Sequence, residues 1–401
     1  MALIVQKFGG SSVANAECIE RVAWIIAERY SEGNDIVVVL SAQGDTTDDL
    51  IAKAKEINPN PSKREMDVLL STGEQMSIAL MAMALEKLGL PVVSLTGWQI
   101  GMQTNSDYSN ARIKGVSVER MKAELDRRRI VLVAGFQGVN RYDDITTLGR
   151  GGSDTTAVAL AVVLNADLCQ IYSDVEGIYT CDPRKVPGAL KLDEITYDEM
   201  LELAALGAKV LHNRSVELAK KYSVDMEVLS SFTRKPGTKV KGVTKVENTQ
   251  ISGVAMDLNV AQITIMDLSD EPGIAFKIFR ALAKEKINVD IILQATGRNS
   301  NKDIIFTVVK GDMDRAAEVL EENRETIGYS SLSKNDRIAK VSIVGAGMMS
   351  VPGVASSMFE ALYGAKVNIG MISTSEIKIS VLVEDKDADR AVSAIHAKFF
   401  E

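Results

Sequence analysis

The chain has 401 residues, 46% of them hydrophobic and 25% charged, with a formal net charge of −8. That length exceeds one ordinary core and predicts two or three folded domains, while the negative charge disfavours nucleic-acid and anionic-membrane partners and favours small molecules. Cys18, Cys169 and Cys181, an odd number in no paired spacing, argue against a disulfide framework or a thiolate metal site. Only two histidines occur. His396 reads as a surface residue at a helix end, and His212 has no partner pattern around it, so chemistry is expected from carboxylates, lysine, arginine and backbone N–H groups. The N-terminus runs straight into an apolar strand-like segment without a basic leader, and the longest fully apolar run, residues 157–164, is too short to span a bilayer. A soluble cytoplasmic protein is expected.

In chain order, β-branched runs alternate with helical periodicity, the pattern of an α/β domain with a mainly parallel sheet. A strand over 2–7 runs into Lys7-Phe8-Gly9-Gly10-Ser11-Ser12, which opens towards a helix over 18–30. Glycines, a lysine and hydroxyls at such a turn suit a phosphate cradle, although no Walker A pattern occurs and an ordinary βα turn has the same composition. A strand over 35–41 leads into the loop Ser41-Ala42-Gln43-Gly44-Asp45-Thr46-Thr47-Asp48. A helix over 73–88 opens at Thr72-Gly73-Glu74, where Glu74 is either a favourable charge on the helix dipole or an anion for a substrate ammonium. Strands over 92–96 and 130–135 flank a helix over 118–128, and the second ends in Gly135-Phe136-Gln137-Gly138.

Next comes Thr147-Leu148-Gly149-Arg150-Gly151-Gly152-Ser153-Asp154-Thr155-Thr156, ahead of an apolar helix over 155–165. Ser153 or Asp154 would serve as its cap, but capping does not account for an arginine between glycines, whose planar fork suits a carboxylate or phosphate. A strand over 169–173 ends in a loop of acids, aromatics and an arginine, Tyr172 to Arg184. In open α/β sheets the ligand lies beyond the carboxyl ends of the strands, so these loops are expected to converge. The polar, basic segment 233–242 reads as a linker, with the domain join near 245.

Beyond it the sequence repeats itself. Pro272-Gly273, then Ile287-Asn288-Val289-Asp290-Ile291-Ile292 and Asp314-Arg315-Ala316, recur as Pro352-Gly353, Val367-Asn368-Ile369-Gly370-Met371-Ile372 and Asp389-Arg390-Ala391. Each copy predicts strand, helix, strand, strand, helix, the start of a split βαβ unit. The second copy runs out of chain after a helix over 387–398, so the apolar segment 250–257 is expected to cross over and complete its sheet. Gly345-Ala346-Gly347-Met348-Met349-Ser350 imitates a dinucleotide fingerprint but lacks the third glycine, and a nicotinamide dehydrogenase would rest on that alone.

Together, the segments 7–12, 41–48, 72–74, 135–138 and 147–155 resemble the aspartate kinases of the amino-acid kinase superfamily, and the paired repeats resemble their ACT domains. The resemblance implies a three-layer α/β/α catalytic domain over 1–245. Two ferredoxin-like (βαββαβ) ACT domains would follow over 246–401, the first about 261–335, the second about 336–401 plus strand 250–257. It implies transfer of the γ-phosphoryl group of ATP to the β-carboxylate of L-aspartate, at the head of lysine, threonine and methionine biosynthesis, under feedback by lysine, threonine or both. On that resemblance Lys7 and Asp154 are catalytic, and Thr47, Glu74, Phe136, Arg150 and Ser153 bind aspartate. Lys7, Gly9, Gly10, Ser11, Ser173, Asp174, Tyr179, Arg184 and Lys209 bind ATP, whose phosphates hold most of the Mg²⁺ coordination without a dedicated protein metal site. Asp270, Gly273, Ala275, Gln294, Asn368, Ile369 and Ser375 form the effector pocket. A homo-oligomer through the ACT domains, or a hetero-oligomer with a short regulatory subunit, is implied. In one departure from many relatives, Asn213 rather than proline follows His212. An aspartate β-carboxylate, already ionised at pH 7, needs no general base, which agrees with the scarcity of histidine. Two rival readings remain at this point: a kinase of the same superfamily with another acceptor, and a catalytically silent amino-acid sensor.

Overall fold

The computed structural model describes residues 2–207, 210–244, 251–296, 301–349 and 351–401. The chain divides into two compact units, the first of Met1–Tyr179, Leu190–Ala205 and Lys209–Glu247, the second of Thr180–Ala189, Leu206–Ala208 and Asn248–Glu401. The stretch expected as one catalytic domain over 1–245 is thus interrupted: Thr180–Ala189 packs with the C-terminal unit.

The first unit begins β1 (Leu3–Phe8), α1 (Ala16–Ser31), β2 (Asp35–Leu40), α2 (Thr46–Ile57), α3 (Lys63–Lys87), β3 (Val92–Leu95). It continues β4 (Gln103–Thr104), β5 (Ile113–Gly115), α4 (Glu119–Leu125), β6 (Ile130–Ala134), β7 (Gln137–Val139), β8 (Ile145–Thr147), α5 (Gly152–Leu164), β9 (Leu168–Ser173). It ends β10 (Glu194–Thr196), α6 (Tyr197–Ala205), α7 (Asn213–Tyr222), β11 (Met226–Ser230), β12 (Thr238–Lys241). Eight strands form one sheet in the order β10-β12-β11-β9-β1-β2-β6-β3, and β5-β4-β7-β8 form a smaller one. From β11 to β3 every neighbouring pair is parallel. The central strands are apolar throughout, Ile36 to Leu40 and Ile130 to Ala134 being buried without alternation, because helices cover both faces. On one face Ile19, Val22 and Ile26 of α1 and Ile78, Met81 and Leu85 of α3 pack on Ile4, Phe8, Leu40 and Leu132.

Several boundaries differ from the sequence reading, each for a local reason. The glycine segment does not open α1; it makes a single 3₁₀ turn over Gly10–Val13, and α1 starts separately, with Asn15 Oδ1 accepting from Cys18 N at 3.0 Å. Helix α3 begins at Lys63 behind Ser62, so Glu74 lies mid-helix and the dipole explanation for it falls away. Thr47 belongs to the first turn of α2 rather than to a loop. Part of the expected linker is a core strand: Thr238 and Val240 of β12 are fully buried while Lys239 points outward, a period-two pattern that its lysines disguise. Helix α3 is long and apolar enough to cross a membrane, yet it packs against α1 and β8 and buries Asp67 and Glu74.

The second unit runs β13 (Gly253–Asp257), β14 (Ala261–Leu268), α8 (Ile274–Lys284), β15 (Ile292–Thr296), β16 (Lys302–Val308), α9 (Met313–Glu322), α10 (Arg324–Ile327), β17 (Ser331–Asn335). Then follow β18 (Ile338–Val344), α11 (Val354–Gly364), β19 (Met371–Thr374), β20 (Lys378–Glu384) and α12 (Ala388–Phe400). Its two sheets are β15-β16-β14-β17 and β13-β18-β20-β19. Strand β13 pairs antiparallel with β18 from Gly253↔Val344 to Asp257↔Lys340, so the segment ahead of the first repeat sits at the edge of the second repeat's sheet. The repeated Pro-Gly has a backbone reason: Gly273 and Gly353 both precede a helix with φ of 99° and 95°, a conformation that side chains disfavour. The broken glycine motif forms the 3₁₀ turn Ala346–Met349 between β18 and α11. His396, expected on the surface, is fully buried: α12 turns it inward, where Nε2 lies 2.9 Å from Thr180 Oγ1 and its ring stacks on Phe400.

Val254 and Ile251 pack with Val341, Ile343 and Ile395 in the second sheet's core. Val254→Ala is expected to lower stability by about 1–3 kcal/mol through lost burial and a residual cavity, measured as a shifted urea midpoint, with protease cleavage appearing first in 338–401.

Candidate active site

The carboxyl ends of β1, β2, β6 and β9 lie side by side, and their loops interlock. Gly9 N donates to Tyr172 O on β9 at 3.3 Å, and Gly44 N donates to Gly10 O at 3.0 Å. A Cβ on Gly10 would stand 2.8 Å from the Ala42 carbonyl oxygen, so these two loops touch backbone to backbone. Ser12 and Ser231 share a buried hydroxyl–hydroxyl bond of 2.7 Å. Ser11 is exposed at the tip of the turn.

Lys7, on β1, points across to α5, where its Nζ is 2.7 Å from Asp154 Oδ1, both side chains being nearly buried. Helix α5 starts after Gly151, with no side-chain cap, so Ser153 and Asp154 do not cap it, and Gly152 N donates to Gly149 O at 2.9 Å. Ser153 packs against Gly135, whose added Cβ would lie 2.6 Å from Ser153 Oγ. Phe136, at φ 70°, lies against Gly152 and donates its N–H to Thr156 Oγ1 at 3.1 Å. Gly151 has φ 67°, and an added Cβ would fall 2.2 Å from His212 Cγ, which gives the otherwise unpartnered histidine a packing role. His212 also caps α7, its Nδ1 accepting from Arg214 N at 3.4 Å. Arg150 is exposed and makes no ion pair or hydrogen bond with the described residues.

Helix α3 supplies a polar stripe that the sequence reading did not recognise. Asp67, Ser71, Glu74 and Ser77, spaced to share one helix face, are all buried. Asp67 accepts from Ser109 N, Ser109 Oγ, Thr147 N and Thr147 Oγ1 at 2.8 to 3.2 Å, fixing the start of the Arg150 loop. Gln137 donates to Ser71 O at 2.9 Å. Arg214 holds the same loop from α7 through Leu148 O and Ala111 O at 3.0 and 2.9 Å. Glu74 Oε1 accepts from Ala42 N at 3.2 Å, while Oε2 has no partner among the described residues. Burial pushes its carboxyl up to about 8. At neutral pH that favours the protonated form of Glu74. The visible signal was that Asp67 and Glu74 are the only charged residues between Glu65 and Glu86 of this helix.

On the far side, Ser173 Oγ donates to Asp174 Oδ1 at 2.9 Å and Tyr179 OH lies 3.5 Å from Glu176 Oε2. Arg184 is in the second unit, with its guanidinium on the Asp182 carboxylate at 2.8 Å. Lys209 lies outside the described residues.

In the second unit, a cavity of about 170 Å³ is lined by Asp270, Gly273, Ala275 and Gln294, together with Lys302 and Ile304. Asp270 is ion-paired with Lys302, a partner not anticipated, and it does not cap α8. Asn368, Ile369 and Ser375 flank β19 in the other sheet and do not line this cavity.

A lysine–aspartate pair at the end of the parallel sheet, an uncapped helix N-terminus and an arginine without a partner among the described residues suit a phosphotransferase, and the amino acid kinase family profile matches residues 2–230. The ACT domain profile matches 266–323 and 341–399. The chain is 52% identical to the aspartokinase of Mycolicibacterium smegmatis, across 100% of its own length and 96% of that protein's. It is also similar to E. coli aspartokinase III, at 27% identity over 100% of both chains. The TM-score is 0.85 against the complex with aspartate and ADP (R-state) and 0.76 against the complex with lysine and aspartate (T-state). The chain belongs to the aspartokinases of the amino acid kinase family.

Because folding raises the Glu74 pKa, the unfolded chain releases that proton first. Glu74's contribution to stability should therefore fall as pH rises from its ordinary 4.5 towards about 8. Glu74→Gln should flatten that part of the profile, read as the difference in urea midpoint between the two proteins at successive pH values.

Proposed function

We propose that this chain transfers the γ-phosphoryl group of ATP to the β-carboxylate of L-aspartate, forming 4-phospho-L-aspartate, the reaction that opens lysine, threonine and methionine biosynthesis. Two unsatisfied groups carry this reading: the exposed Arg150 guanidinium and the Glu74 Oε2 atom, neither with a partner among the described residues. They suit the α-carboxylate and α-ammonium of one amino acid.

The nucleophile arrives ionised, since an aspartate side chain titrates near 3.9, so the protein's task is alignment and charge neutralisation. Lys7 neutralises the phosphoryl group in transfer, and Asp154 holds its Nζ in place. Gly9, whose N–H is given to Tyr172 O, shapes the turn from which Gly10 and Ser11 present N–H groups to phosphate oxygens. Arg150 takes the α-carboxylate and Glu74 the ammonium, releasing its proton as the ammonium enters, while Thr47, Phe136 and Ser153 shape the aspartate side. Ser173, Asp174, Tyr179, Arg184 and Lys209 form the nucleotide side. Mg²⁺ held mainly by the phosphates would supply further charge neutralisation, and Asp154, paired with Lys7, would orient that lysine and the metal-bound phosphates.

The second unit senses lysine, threonine or both in the cavity behind Gly273, an assignment supported by the lysine bound to E. coli aspartokinase III. The effector ammonium replaces Lys302 on Asp270, Gln294 closes the wall, and Asn368, Ile369 and Ser375 act from the other ACT domain. The enzyme works in the cytoplasm, as an oligomer assembled through its ACT domains or with a short regulatory subunit.

With ATP and a panel of acceptors, hydroxylamine should trap the acyl phosphate of aspartate faster than that of glutamate, acetylglutamate or carbamate. Faster turnover of any of those three overturns the assignment.

Lys7→Ala should lower kcat by about 10²-fold or more, because its charge is most valuable in the transition state. Arg150→Ala should instead raise KM for aspartate by at least about tenfold and leave KM for ATP within about twofold. Initial rates against each substrate separate the two roles.

A further inference from the structure

One face of α3 anchors three loops of the site. Ala42 N, in the loop after β2, donates to Glu74 Oε1 at 3.2 Å. Gln137, next to Phe136, donates from Nε2 to Ser71 O at 2.9 Å. Thr147, shortly ahead of Arg150, gives Asp67 both its N–H and its hydroxyl, each at 2.8 Å. The spacing of positions 67, 71 and 74 keeps them on one side of the helix, over about 10 Å of its axis. Asp67 is the most heavily used of these anchors. Its Oδ2 accepts the N–H groups of Ser109 and Thr147, and its Oδ1 accepts their hydroxyls. A buried carboxylate that takes a matched pair of donors from each of two loops clamps both to the helix, and without it two backbone N–H groups lose that acceptor. The two loops are also tied to each other, since Ala111 N donates to Thr147 O at 2.9 Å. Arg150 itself has no ion pair or hydrogen bond with the described residues, so its place is set by the anchoring of its loop, to α3 through Asp67 and to α7 through Arg214.

We propose that Asp67 is a positioning residue for the amino-acid substrate: it holds the Arg150 loop at one height on the helix that also carries Glu74, and so governs affinity for the molecule whose two ends those residues take. The inference rests on the roles given above to Arg150 and Glu74. A single rigid helix then sets the spacing between the carboxylate partner and the ammonium partner, although they come from distant parts of the chain. Lys7, Gly10 and Ser11 make no bond to Asp67. Affinity for the amino acid should therefore fall when the clamp is removed, while affinity for ATP stays.

The test is initial-rate kinetics on the full-length protein, with whichever amino acid the hydroxamate assay shows to be turned over fastest, so that an error in the aspartate assignment leaves it standing. Asp67→Ala should raise KM for that amino acid by at least about tenfold and leave KM for ATP within about twofold. Asp67→Asn should stay within about threefold of wild type, because its amide oxygen accepts the two N–H groups and its NH₂ donates to the two hydroxyls, which can turn to accept. If Asp67 acts through Arg150, then in an Arg150→Ala background Asp67→Ala should raise the same KM by less than about twofold more. Independent, multiplying effects of the two changes would overturn the proposal. So would an equal rise in KM for ATP, or a lowered melting temperature with both KM values unchanged, the mark of a purely structural acid. Should Asp67→Ala not fold, Thr147→Val removes only one of the four bonds. It is then expected to raise the amino-acid KM about threefold in the wild-type background and not at all beside Arg150→Ala, and no rise in the wild-type background overturns the proposal. An Arg150→Ala single variant with unaltered KM for the amino acid would instead place the failure in the reading of Arg150, and would take this inference with it.

Discussion

A carboxylate taken out of water must find donors, shed its charge, or wait for a cation. Helix α3 buries two of them about two turns apart and resolves them in opposite ways. Asp67 is met by four donors from the 109 and 147 loops, so it remains a fixed strut for the arginine loop. Glu74 receives one N–H and is left with an open oxygen, so it carries its proton instead. The rest of the site follows from that asymmetry. One acid organises the protein and the other keeps an oxygen without a partner among the described residues, and the loops around them pack closely, Gly10 and Gly73 both against Ala42.

The same economy explains the absence of histidine from the chemistry. His212 is spent on packing against Gly151 and capping α7, and His396 on a bond to Thr180. Neither is near Lys7 or Asp154 by any contact among the described residues. A reaction whose nucleophile is already ionised needs positive charge and alignment, the two tasks that the proposed function gives to Lys7 and the amides of the glycine turn.

Much of this was legible in the sequence. The parallel sheet could be read from β-branched runs without alternation, and the ligand loops from glycine and hydroxyl clusters at their ends, because both signals are local. The doubled regulatory repeat was visible as order in landmarks, with Gly273 and Gly353 marking the same backbone turn twice. The parts that escaped depend on neighbours far along the chain. Nothing local marks Asp67 as the partner of residues 109 and 147, nor Lys302 as the partner of Asp270, nor His396 as a core residue reached by Thr180. Strand β12 escaped for another reason: two of its four residues are lysines, and its burial is decided by β11 beside it.

Strand β13 makes the first repeat a guest inside the second. One strand of the second sheet is synthesised before the whole of the first repeat, and the other three after it. On a ribosome, the second sheet can close only when nearly all the chain has emerged, while its early strand waits. The two sensors also cannot be shuffled as separate cassettes. A cut between β13 and β14 would orphan an edge of one and free the other, so any rearrangement of the gene that keeps both folds must carry the pair together.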